Sequence, residues 1–182
     1  MTFGIPGRLK QRLPVHMKKD SRKFKTLDEI VHLREQWAAS NESLVFTNGC
    51  FDILHVGHVR YLNQARTLGD RLVVAVNSDR SVRGIKGSSR PLIPERERME
   101  VLGALQCVDF VFLFDDPTPE RIIKALVPDV LVKGSDWDLA DVVGRSVVEG
   151  NGGSVLTIPV VEGVSTSAII QTVLDRFGKA SR

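Results

Sequence analysis

Residues 71–77 read RLVVAVN, a continuous apolar run too short for a helix and without the alternation of a half-exposed strand. Such a run belongs inside a parallel sheet covered on both faces. Similar runs recur at 43–47, 108–114, 129–133 and 154–159. Segments with helical spacing stand between them. Residues 26–40 can be capped by Thr26 with Glu29, and carry Ile30, Leu33 and Trp37 on one face, with His32 off it. From Gly57, apolar residues at Val59, Leu62, Ala65 and Leu68 continue to a stop at Gly69. Pro94 opens PERERMEVLGAL, with Met99, Val101, Leu102 and Leu105 as its inward side. Helices are also expected over 117–126, from about 138 to Glu149, and after Ser167. This alternation predicts a three-layer α/β domain: a Rossmann-like fold with a five-stranded parallel sheet and right-handed crossovers.

At 182 residues one domain is expected. The positive net charge conceals an asymmetry: residues 1–25 hold eight Lys/Arg and one acidic residue, and the rest holds 17 basic and 21 acidic residues. The chain divides into a basic, disordered extension (1–25) and a mildly acidic domain (26–182). The extension lacks the apolar core of a signal peptide, and Met17 offers an alternative start. No apolar run approaches membrane-spanning length. Two distant cysteines build no disulfide framework, which fits a reducing cytoplasm. A solvated tail explains the basic residues better than nucleic-acid binding does.

Four stretches carry candidate chemistry, each after a strand. The first is NGCFDILHVGH, 48–58, where a loop turns into a helix. A helix start offers free N–H groups and the positive end of a dipole, an anion site, and His55 and His58 add donors to it. Zinc is a weaker reading of Cys50, His55 and His58, because the other cysteine, Cys107, is remote and no CxxC occurs. The second stretch, 78–93, reads as a polar loop, either an ordinary basic surface or a flexible lid whose Lys86, flanked by glycines, reaches a polyphosphate. The third is Gly134-Ser135-Asp136-Trp137. The fourth is EGVSTS, 162–167, whose Ser165, Thr166 and Ser167 open the last helix as a plain cap or as a second anion site. Neither GxGxxG after a strand nor GxxxxGK[ST] is present, which disfavours a standard dinucleotide oxidoreductase or a P-loop NTPase.

GCFDILHVGH, ending in HxGH, resembles the signature of the cytidylyltransferase-like nucleotidyltransferases. Together with LVVAVNSD, KGSSRP, the ERM helix, PDVLVKGSDW and EGVSTSAII, the stretch from about 43 to 175 resembles the heptose 1-phosphate adenylyltransferases. That resemblance implies transfer of AMP from ATP, with Mg²⁺, to a heptose 1-phosphate, in a stand-alone form without a sugar-kinase domain and as a homodimer in that family's manner. It implies that His55 and His58 contact the phosphates, that Lys86 neutralises them, and that Arg98 helps hold the triphosphate. Ser165, Thr166 and Ser167 would take the β- and γ-phosphates. Gly134, Ser135 and Asp136 would lie near adenine and ribose, and Cys50 and Phe51 would offer backbone. Ser135 replaces a glycine common in that family. Two alternatives are CTP with glycerol 3-phosphate, and a catalytically idle binding module.

Overall fold

The computed structural model describes residues 22–135 and 137–178. The order is α1 (Leu27–Ala39), β1 (Leu44–Gly49), α2 (Val56–Arg66), β2 (Arg71–Asn77), α3 (Asp79–Lys86), α4 (Glu95–Gly103), β3 (Phe110–Phe114), α5 (Glu120–Leu126), β4 (Val130–Gly134), α6 (Arg145–Gly150), β5 (Ser154–Ile158) and α7 (Thr166–Phe177), with a 3₁₀ turn at Leu139–Asp141. The five strands form one parallel sheet in the order β3-β2-β1-β4-β5. This is the expected Rossmann-like three-layer fold. Strands β1 and β2 are central and their apolar side chains are fully buried, which is why they lack alternation.

Each face of the sheet has its own core. Ile30 and Trp37 of α1, Ile122, Ile123 and Leu126 of α5, and Val148 of α6 cover one face. Leu62 and Ala65 of α2 and Leu102 of α4 cover the other. Helix α1 starts with a complete capping box: Glu29 N–H donates to Thr26 Oγ1, and Thr26 N–H donates to Glu29 Oε2. Asp129 aligns β4 with β1 by accepting from Leu44 N–H at 2.7 Å while pairing with Arg34. The chain leaves β1 in one direction for β2 and β3 and returns on the other side for β4 and β5. The crevice at the carboxyl ends of β1 and β4 is therefore the topological switch point, where folds of this class bind ligands.

Several expectations change. Residues 79–86 of the supposed loop are helical: Ser78 caps them by accepting from Ser81 N–H, and Val82 is fully buried. The irregular part shrinks to 87–93. The helix expected over 138–149 is a 3₁₀ turn and the short α6, separated by Gly144 at φ 85°. A Cβ at Gly144 would also lie 2.6 Å from the Ile123 side chain. Strand β3 starts at Phe110 instead of Val108, and Val101 is exposed. Residues 1–21 of the basic extension lie outside the described residues. The boundary at 25 moves, because Lys23–Lys25 run along β3: Val111 N–H donates to Lys23 O, Lys25 N–H donates to Val111 O, and Phe24 packs on Gly103.

Candidate functional site

A cavity of about 620 Å³ opens at the switch point. Its lining includes Cys50, Phe51, His55, His58, Lys86, Gly134, Ser165, Thr166 and Ser167, so nine of the expected site residues meet there. They arrive from four connections: after β1, at the end of α3, after β4, and at the start of α7.

The histidines form its centre. Their rings stack with centroids 3.8 Å apart, and Phe51 meets His58 edge-on at 5.2 Å. Nδ1 of each is buried without a hydrogen-bond partner among the described residues. Burial pushes both imidazoles below their ordinary value; His58, also disfavoured by His55, falls to about 4. Both are therefore neutral near pH 7, and a bound anion would reverse that bias. His55 occupies the N-cap of α2 without making a side-chain cap bond, so the N–H groups of the first turn remain available to a ligand. Gly57 lets the His55 ring lie close to the backbone, since a Cβ there would stand 3.0 Å from the ring and force it to shift. The second helix start on the cavity is that of α7. Ser165 Oγ accepts from Ala168 N–H at 3.1 Å, and Thr166 Oγ1 donates to Ile53 O, tying α7 to the histidine loop.

Two expected residues lie apart from the lining. Arg98 was expected at the triphosphate; its side chain is fully buried beneath the loops. It donates to Ile93 O, to Cys50 O and, at 2.8 Å each, to Asn77 O and Asp79 Oδ1. It holds together the backbone that forms the cavity floor, and it takes up the Cys50 carbonyl. Of the two arginines on α4 only Arg98 points inward; Arg96 is exposed. Ser135 turns its hydroxyl to Val160 N–H at 3.3 Å, joining the loop after β4 to the one after β5. Asp136 lies outside the described residues. His32 is exposed, as expected, beside Glu35 and Gln36.

Other lining residues have no local sequence signal. Asp52 is 3% exposed, and its Oδ1 accepts from Leu92 N–H at 2.8 Å and Ile93 N–H at 2.9 Å while Oδ2 pairs with Arg90 Nε. Lys133, at the end of β4, donates to Asn48 Oδ1 and lies 5.7 Å from the centre of the Trp137 ring. The position of Asp52 three residues before His55 was a usable hint, but its partners lie some forty residues away. Burial holds the Cys50 thiol above its ordinary range, and so un-ionised. Among the described residues no three His, Cys, Asp or Glu side chains converge as a metal site.

Residues 46–172 match the cytidylyltransferase-like family model. The bifunctional protein HldE of Citrifermentans bemidjiense is 53% identical over 163 residues, which cover 89% of this chain and 34% of that protein. HldE of Koribacter versatilis is 52% identical over 149 residues, covering 82% and 31%. The chain thus spans about a third of the length of these relatives. Among solved structures, a lipopolysaccharide core biosynthesis protein from Thermoplasma volcanium is 29% identical with a TM-score of 0.55, over 66% of this chain and 97% of that one. The pantoate-β-alanine ligase of Francisella tularensis, at 12% identity, TM-score 0.58 and coverage of 82% and 72%, shares the fold.

Proposed function

We propose that this chain, which belongs to the cytidylyltransferase-like family of nucleotidyltransferases, transfers AMP from ATP to D-glycero-β-D-manno-heptose 1-phosphate and releases pyrophosphate. The product would be ADP-heptose, a precursor of lipopolysaccharide core, made in the cytoplasm. The observation that carries the reading is the stacked His55–His58 pair, with unpartnered ring nitrogens, between the starts of α2 and α7.

The chemistry suits such a site. The attacking oxygen belongs to a phosphate that is already an anion, so no strong base is required. A bond forms from that oxygen to the α-phosphorus, and the bond from the α-phosphorus to the leaving pyrophosphate breaks. The demand is to hold two anions together and to stabilise charge in the transition state. His55 and His58 donate to the phosphates, the start of α7 takes the β- and γ-phosphates through Ser165, Thr166 and Ser167, and Lys86 neutralises charge. Arg98 acts from beneath, by fixing the floor. Asp52, the one carboxylate of the described lining, is engaged with Leu92, Ile93 and Arg90. Mg²⁺ therefore enters as part of the MgATP substrate, held by its phosphates. A homodimer, implied by the resemblance, belongs to this proposal and is read by sedimentation.

The test is pyrophosphate release with Mg²⁺, crossing ATP and CTP with heptose 1-phosphate and glycerol 3-phosphate. Release is expected only for ATP with heptose 1-phosphate. His58→Ala should lower kcat by about 10²–10³, the usual effect of losing one preorganised donor. Turnover of CTP with glycerol 3-phosphate would keep the mechanism and overturn the substrates. No turnover of any pair would indicate an idle binding module.

A further inference from the structure

We propose that Arg90, oriented by Asp52, binds the phosphate of the incoming sugar, with Asp52 as its positioning residue. This rests on the nucleotidyl-transfer reading above.

The sheet order divides the cavity. The histidine loop follows β1 at its centre. The loop after β4 and the start of α7, after β5, form one side; α3 and the 87–93 segment, after β2, form the other. In an in-line displacement, the entering and leaving oxygens stand on opposite sides of the phosphorus. With the pyrophosphate end at α7, the entering phosphate must come from the β2 side. That side has to hold a second anion, and it contributes Lys86 and Arg90 to the lining.

Arg90 is built for this task in a way that Lys86 is not. Lys86 is exposed at the end of α3, on a stem with many rotamers. The Arg90 side chain is only 16% exposed and is anchored through Nε to Asp52, whose own side chain is 1% exposed. Asp52 also accepts from Leu92 and Ile93 N–H, so one carboxylate fixes both the guanidinium and the backbone that carries it. The Nη groups of Arg90 have no other hydrogen-bond or ion-pair partner among the described residues, and the residue lines the cavity. A guanidinium held at Nε with its Nη edge toward a cavity is preorganised for two parallel bonds to phosphate. If Arg90 served only to neutralise Asp52, any cation of similar reach would replace it.

Arg90→Lys separates the two roles. The lysine ammonium can pair with Asp52 or reach a phosphate, but it cannot form the fork that does both. The full chain is assayed with ATP and heptose 1-phosphate, with ATP binding followed separately by calorimetry. In Arg90→Lys, KM for the sugar phosphate should rise about tenfold to a hundredfold, as expected for losing charged hydrogen bonds. ATP affinity and the melting temperature should hold. Asp52→Asn should raise the same KM by a smaller factor. An unchanged KM in Arg90→Lys, or an equal fall in ATP affinity, would overturn the proposal. A parallel titration of inorganic phosphate into protein loaded with a non-hydrolysable ATP analogue does not depend on the sugar. Weaker phosphate binding by the variant than by the wild type supports Arg90 even if heptose 1-phosphate is not turned over. No difference toward either probe overturns it.

Discussion

The two sides of the cavity are constructed differently. On the β2 side, Asp52, Arg90 and Arg98 form a buried polar network that ties the 50–52, 77–79 and 90–93 segments together. On the β5 side, α7 has no fully buried residue, and Val173, Leu174 and Phe177 are 51%, 55% and 70% exposed. Near the cavity, one hydroxyl contact from Thr166 to Ile53 O attaches it, while the Ser165 cap bond closes only the helix's own first turn. A network with matched donors and acceptors fixes geometry before a ligand arrives. A helix docked with so little burial takes much of its placement from what it binds. The contrast fits the proposed division of labour: a prepared bed for the incoming phosphate, and an adaptable clamp for a pyrophosphate that must leave.

The contrast can be broken first at its strongest point. Arg98→Met strands the Cys50, Asn77 and Ile93 carbonyls and leaves Asp79 without its partner. A loss of roughly 3–5 kcal/mol is expected, as for other buried charge pairs missing one member. Chemical denaturation reads it; a loss below about 1 kcal/mol would mean that the floor is not held by this network.

The histidine centre gives an intermediate effect that depends on pH. The folded-state value of His58 lies near 4, against an ordinary 6.5. The unfolded chain therefore binds more protons between these values. The contribution of neutral His58 to stability is full above about pH 6.5 and is lost as pH falls through about 4. Denaturation midpoints of the ligand-free protein should decline over that interval, less steeply in His58→Asn. An equal slope in the variant would assign the acid sensitivity elsewhere.

The smallest effect belongs to the α7 side. Ser165→Ala removes a helix cap and should cost about 1 kcal/mol. ATP affinity should fall by a larger factor than this suggests if the start of α7 binds the phosphates as proposed. A destabilisation as large as that of Arg98→Met would erase the distinction between the two sides.

Much of this was legible in the chain itself. RLVVAVN and its counterparts specified a parallel sheet because full burial removes alternation. The placement of His55, His58, Ser165 and Thr166 beside helix starts was also legible, since caps and helix starts are local signals. Residues 79–86 were misread because Gly84 and the serines resemble a loop; the Ser78 cap and the burial of Val82 outweighed that weak composition signal. The role of Arg98 was misread for a different reason. An arginine on a helix looks alike in sequence whether it faces a ligand or backbone carbonyls 48 and 21 residues away, at Cys50 and Asn77.

The sequence by itself determined the class of fold, the order of its elements and the stretches that meet at the cavity, because periodicity, caps and glycine positions act over a few residues. Only the tertiary structure decided which charges face the cavity and which lie under it. Asp52 meets Leu92 and Ile93, and Lys133 meets Asn48, through crossovers that bring distant strand ends together. Burial, which lowers His58 and fixes Arg90, exists only once those ends have met.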